Sequence, residues 1–130
     1  MISTNRAGIT LLFIFGFLFI FHCLVIFGLL PYDIVWAGRI NNQEELMKME
    51  SISLLIVLIA ILLVSLRIRL LKIVINPRII AAGIWILFVF FVLNTLGNLS
   101  AKNSFEKYGF GLLTFVISSL VLRLAIADKT

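Results

Sequence analysis

Cysteine and charged residues are scarce in this chain. A single cysteine, Cys23, lies within an apolar run, which excludes an intramolecular disulfide, a CxxC redox pair and a zinc site built from several thiolates. Charged residues make up 13% of the 130 residues and hydrophobic residues 62%, against roughly a quarter and a half in soluble domains. So few charged side chains could not cover the surface of a soluble fold of this size. We therefore expect an integral membrane protein.

Recognisable catalytic and cofactor motifs are also missing. The sequence has no GxSxG, HExxH, P-loop or dinucleotide fingerprint. One histidine, His22, cannot ligate a haem from both sides or build a histidine-rich metal site. We predict no catalytic residues, no metal and no cofactor. Because basic residues in membrane proteins chiefly fix orientation, the net charge of +5 does not predict a nucleic-acid partner.

Long apolar segments are present instead, and they resemble membrane spans in length. About 20 apolar residues in a helix cross a hydrocarbon layer of ~30 Å. We predict an all-α, four-helix transmembrane bundle that forms one membrane domain over 1–130. The predicted helices cover about 7–31, 46–66, 79–101 and 108–127, joined by loops at 32–45, 67–78 and 102–107. The basic, apolar stretch 67–75 either extends the second helix or lies on the membrane surface.

Lysine and arginine are unevenly divided between the two predicted sides. The side with both termini holds seven of them: Arg6, Arg67, Arg69, Lys72, Arg78, Arg123 and Lys129. The other side holds four, Arg39, Lys48, Lys102 and Lys107, together with five of the six acidic residues. Because basic residues concentrate on the cytoplasmic side, we predict that both termini are cytoplasmic, an N-in/C-in topology.

Polar side chains inside the apolar segments gather in the outer half of the predicted bundle. Such groups are costly in lipid and are therefore candidate functional residues. The candidates for ligand binding or conduction are His22, Glu50, Ser53, Asn94, Asn98 and Thr114. The amides of Asn94 and Asn98 are four residues apart and share one helix face. Packing alone offers a second interpretation, since interhelical hydrogen bonds contribute roughly 0.6 kcal/mol each.

Glu50 is the sharpest single candidate. If it lies at membrane depth, its carboxyl group either carries a proton or pairs with a cation or hydrogen-bond donors. The alternative is an exposed acid at the interface, just above the hydrocarbon. His22 has the same two interpretations, a ligand-binding residue or a packed, hydrogen-bonded one.

The first outer loop is the most distinctive stretch of the sequence. Asp33, Trp36 and Arg39 recur every three residues, and with Glu106 of the second outer loop they are candidates for a structured cap over the bundle mouth. The alternative is a solvated hairpin that Tyr32 and Trp36 anchor at the membrane interface.

The end of this loop carries a helix-start signal. Asn41 or Asn42 is predicted as the N-cap of the second helix. Glu44 and Glu45 then fall in the first turn, where the helix dipole favours acidic residues.

Several short stretches resemble patterns in a known group of proteins. They are Trp36–Ile40, Glu50–Ser53 and Leu93–Leu99, followed by Glu106 and Arg123. Together they resemble small uncharacterised bacterial four-helix integral membrane proteins, over most of the chain. The resemblance implies a multi-pass protein of the bacterial cytoplasmic membrane and implies no activity.

The leading hypothesis is a non-enzymatic membrane protein with an outward-facing polar cavity. The cavity would bind a small molecule, a lipid head group or a partner helix. The alternative is a homo-oligomeric transporter or channel that uses Glu50 as a coupling carboxylate. A third hypothesis is a lipid- or isoprenoid-modifying enzyme with Glu50 or His22 as acid or base. Membrane lipids are the expected partners, with a homo-oligomer or a larger membrane partner as further options.

Overall fold

The structure, a computed structural model, is helical throughout its regular elements. It describes residues 1–32, 35–36 and 39–127, and within these ranges it contains no strand. The same ranges contain four helices long and apolar enough to cross a membrane, the fourth of which begins with a π-helical segment. They are α1 (Thr4–Ile26), α2 (Gln43–Arg67), α3 (Pro77–Leu99) and the π-helical segment Phe105–Phe110 with α4 (Gly111–Ala125). The prediction of an all-helical chain with four helices long and apolar enough to span a membrane is confirmed for the described residues.

The bundle has two unlike ends. The terminal end carries the N-terminus, the α2–α3 connection and the end of α4, and the loop end carries the α1–α2 and α3–α4 connections. An apolar core runs between them, formed by buried residues spaced three or four apart on each helix. Its members include Leu11, Phe15, Val57, Ala60, Val64, Ile84, Leu87, Phe91, Ile117 and Val121. Phe13 and Phe17 are exposed on the outer face of α1, where lipid would surround them.

α1 ends at Ile26, before the predicted boundary near residue 31. Gly28 follows the C-cap Phe27 in the left-handed region, at φ +75°. The Leu29 N–H donates to the Leu24 carbonyl at 2.9 Å and the Gly28 N–H to the Val25 carbonyl at 3.1 Å. These two bonds form a Schellman motif, which satisfies carbonyls that the helix end would leave without donors.

α2 is bounded at both ends by local hydrogen bonds. Of the two predicted N-cap residues, Asn42 takes the position, and its side chain accepts from the Glu45 N–H at 2.8 Å. The helix ends at Arg67 because Arg69 adopts a left-handed conformation, at φ 59°. Residues 68–76 are not helical and form the connection to α3.

Arginine side chains tie the terminal end together. Arg67 donates from Nε to the Leu124 carbonyl at 3.0 Å and from Nη2 to the Ala127 carbonyl at 2.8 Å. These carbonyls lie at the end of α4, where a helix lacks its own donors and a cation is favourable. Arg123 donates to the Ile2 carbonyl at 2.9 Å. The terminal end is therefore fixed by charged hydrogen bonds as well as by apolar packing.

The second connection at the loop end spans 100–104, against the predicted 102–107, because α3 ends at Leu99 and the chain becomes helical again at Phe105. The Asn103 side chain accepts from the Phe105 N–H at 2.8 Å and starts this turn. The π-helical segment winds each residue through a smaller angle than an α-helix does. This offsets the drift of a four-residue spacing and aligns Glu106, Phe110 and Thr114 on the inner face, where all three line the same cavity.

A substitution at Gly28 tests the account of the α1 terminus. Gly28→Ala places a Cβ at φ +75° and should lower the free energy of unfolding by about 1 kcal/mol. Gly16→Ala is the matched control, because a Cβ there meets no atom within 4 Å and the residue lies in the helix interior. The control substitution should leave the free energy of unfolding unchanged or raise it. Unfolding in mixed micelles measures both, and equal effects of the two variants would contradict the account.

Candidate functional site

Glu50 lies at the centre of the loop-end half of the bundle. Its side chain is fully buried. Its Oε2 lies 2.6 Å from Nδ1 of His22 on α1, and its Oε1 accepts a hydrogen bond of 2.9 Å from Nε1 of Trp36. One carboxyl group therefore joins α2 to α1 and to the first loop.

One hydrogen bond joins Glu50 to His22. The indole of Trp36 can only donate, so Oε1 acts as an acceptor. At Oε2, either the imidazole donates to a carboxylate or a carboxylic acid donates to the imidazole. Both arrangements engage Nδ1 and fix the orientation of the ring, which leaves Nε2 as the ring nitrogen for a further partner.

Trp36 occupies a strained backbone conformation. Its φ of 57° lies in the left-handed region, which is uncommon for a bulky residue. The hydrogen bond to Glu50 and a nearby apolar cluster hold it in place. The buried members of this cluster, here called the loop-end cluster, are Phe21, Val25, Val35, Ile40 and Leu46.

A cavity of about 660 Å³ lies beside this arrangement, between the four helices and the first loop. This is the size of typical small-molecule sites. Its apolar lining includes Leu18, Phe21, Met49, Ile52, Ile56, Phe90, Phe91, Leu93 and Phe110. Its polar lining consists of His22, Trp36, Arg39, Glu45, Ser53, Asn94, Asn98, Glu106 and Thr114. A largely apolar wall thus carries a limited set of hydrogen-bonding groups.

The amides of α3 form a second polar group on this wall. Asn98 Nδ2 donates to Thr114 Oγ1 on α4 at 3.3 Å and lies 3.5 Å from Asn94 Oδ1. Thr114 donates in turn to the Phe110 carbonyl at 2.7 Å. The contact between Asn98 and Thr114 is an interhelical hydrogen bond of the kind that packing requires, and both amides also line the cavity.

The predicted residues occupy different positions around the cavity. His22, Ser53, Asn94, Asn98 and Thr114 line it, as do Trp36, Arg39 and Glu106 from the predicted loop set. Glu50 lies behind the wall, enclosed by its contacts with His22 and Trp36. Asp33 lies outside the described residues. The hypothesis that Glu50 is an exposed interfacial acid does not fit a fully buried side chain.

Sequence reasoning missed Glu45 and the aromatic part of the wall. Glu45 was assigned only to the first turn of α2, and its Oε2 does accept from the Asn41 N–H at 3.1 Å. Phe90 and Phe91 lie inside a uniformly apolar stretch, and Phe110 lies near the start of another apolar segment. In such segments composition does not distinguish a lipid-facing ring from one that lines a cavity. Among the residues that the structure describes, no three His, Cys, Asp or Glu side chains form a group that could hold a metal ion.

Replacement of Glu50 tests the central contacts. Glu50→Leu leaves the Trp36 N–H and His22 Nδ1 without their hydrogen-bond partner in apolar surroundings, so the free energy of unfolding should fall by about 3 kcal/mol. Glu50→Gln keeps an amide oxygen for Trp36 and should cost less. Glu44→Gln, at an exposed position of the same helix, is the control and should have little effect. A Glu50→Leu protein as stable as the parent would contradict the geometry.

Comparisons with protein-family models, with curated proteins and with solved structures found no match.

Proposed function

We propose that this chain is a non-enzymatic membrane protein that binds a small molecule in the loop-end cavity. One observation carries the proposal. The wall of a cavity of about 660 Å³ presents His22, whose ring is held in one orientation by a fully buried Glu50. A polar group fixed by a second polar group behind it is the usual construction of a binding site.

Three energetically costly features meet at this wall. A buried carboxyl group in a membrane-spanning helix is expensive. The left-handed backbone at Trp36 stores strain, and such strain clusters at functional sites. A cavity also forgoes the packing contacts that a filled core would supply. Helix packing alone would need none of the three, so their coincidence supports a ligand site.

The lining indicates an amphipathic ligand. His22, Asn94 and Asn98 offer hydrogen bonds to a polar end, and Phe21, Phe90 and other apolar residues offer a surface for an apolar body. We assign Glu50 the role of a positioning residue, because it reaches the cavity only through His22 and Trp36. This enclosure supports a positioning role in preference to that of a coupling carboxylate in a homo-oligomeric transporter.

The orientation of the bundle is part of this proposal. Seven lysines and arginines on the terminal side against four on the loop side support cytoplasmic termini. The cavity would then open toward the outer leaflet of a bacterial cytoplasmic membrane. Its first partners would be the lipids of that leaflet.

Native mass spectrometry of gently released protein tests the proposal. The parent chain should retain a defined small-molecule mass. Asn94→Leu and His22→Phe should lose it, because each removes a polar group from the wall while leaving membrane insertion intact. Ser119→Ala is the control, since Ser119 is an exposed residue of α4 outside the cavity. A bare parent protein, or a mass retained equally by both wall variants, would contradict ligand binding there.

A further inference from the structure

We infer that the cavity is entered sideways from the membrane, between α2 and α3, and that its ligand is a membrane lipid whose hydrocarbon chain occupies this opening. The inference rests on the proposed function and adds the class of ligand and its route. It depends on how α2 and α3 separate, on which lining residues are exposed, and on what covers the loop end.

The two helices are close at the terminal end and apart at the loop end. A Cβ at Gly83 of α3 would lie 2.6 Å from Leu63 Cδ2 of α2, so the backbone of α3 approaches α2 closely there. Toward the loop end, Ile52 of α2 and Leu93 of α3 both line the cavity. At Gly97 an added Cβ would meet no atom within 4 Å. The helices therefore diverge, and the cavity lies in the space between them.

The residues at which the helices diverge line the cavity and are also exposed on the outside of the bundle. Ile52 is 49% exposed and Leu93 is 61% exposed, and Gly97 is also exposed. A residue that both lines a cavity and faces outward marks an opening. Leu93 lies six residues before the end of α3 at Leu99, which is about 9 Å along the axis at ~1.5 Å per residue. At that depth in a spanning helix the surrounding medium is hydrocarbon.

At the loop end, access to the cavity is more restricted than between α2 and α3. Val35, Ile40 and Leu46 are buried there in one cluster with Phe21 and Val25 of α1. Arg39, which is exposed, and Glu45, which is partly exposed, form a charged rim of the cavity at this end. The opening therefore runs from a charged rim at head-group level to an apolar mouth at chain level. This change from charged to apolar along the opening matches a lipid with its head group at the rim and its hydrocarbon chain between Ile52 and Leu93.

The two tryptophans of the chain allow a direct test. In a Trp85→Phe background, the remaining Trp36 lines the cavity. We would reconstitute this full-length protein into vesicles of phosphatidylethanolamine and phosphatidylglycerol whose acyl chains carry bromine, a short-range quencher of tryptophan fluorescence. Gly97→Phe would place a ring in the mouth. Gly16→Phe is the matched control, because Gly16 is outside the cavity and a Cβ there also meets no atom within 4 Å.

Brominated chains should quench Trp36 in the background protein and in Gly16→Phe, and Gly97→Phe should lose most of that quenching. Absence of quenching in the background protein would overturn lateral entry. Equal quenching in Gly97→Phe and Gly16→Phe would overturn it as well.

The two proposals fail in different ways. A small-molecule mass retained in the native spectrum, together with unchanged quenching in Gly97→Phe, would keep the binding function and overturn the lipid route. Loss of quenching in Gly97→Phe without any retained mass would support the lateral opening and contradict a tightly held ligand.

Discussion

The carboxyl group of Glu50 needs donors, and the loop end of the bundle is arranged around that need. A charged or polar oxygen in a membrane-spanning helix has no water to bind. α1 supplies the imidazole of His22, and the first loop supplies the indole of Trp36. To deliver that indole, the loop adopts a left-handed backbone at Trp36 and folds Val35 and Ile40 into an apolar cluster. One buried acid thereby fixes the position of a helix face and of a loop.

The two halves of the bundle are packed differently. In the terminal half, glycines allow close approach, as where Gly8 meets Ile68 and Gly83 meets Leu63. Charged hydrogen bonds from Arg67 then close the end of α4. In the loop-end half, the helices separate around a cavity whose wall carries histidine and amide groups. Under the proposed function, the tightly packed terminal half would support a preorganised site in the loop-end half.

The helices could be predicted from the sequence because apolar length is decisive in a membrane. Their ends were harder to predict. Gly28 was available as a stop signal for α1, but the apolar run continued past it to Pro31. α2 ends at Arg67, within one residue of the predicted boundary at 66, but composition did not indicate the left-handed turn at Arg69, a conformation that glycine usually provides. The π-helical turn at Phe105–Phe110 has no periodicity long enough to recognise.

The site was predictable residue by residue but not as an arrangement. Because polar side chains are costly in lipid, His22, Glu50 and Asn94 could each be identified from the sequence as candidate functional residues. Their pairing depends on the relative depth and rotation of α1 and α2, which a single sequence does not specify. Trp36 was expected either in a cap or as an interfacial anchor, and its contact with Glu50 arises from the path of the loop.

The contacts of the Glu50 carboxyl group can be measured directly by solid-state NMR in lipid bilayers, with ¹³C in the glutamate carboxyl groups and ¹⁵N in the tryptophan and histidine rings. We expect close contacts from the Glu50 carboxyl carbon to Trp36 Nε1 and to His22 Nδ1. A Glu50 carboxyl with neither contact would contradict this arrangement of the site.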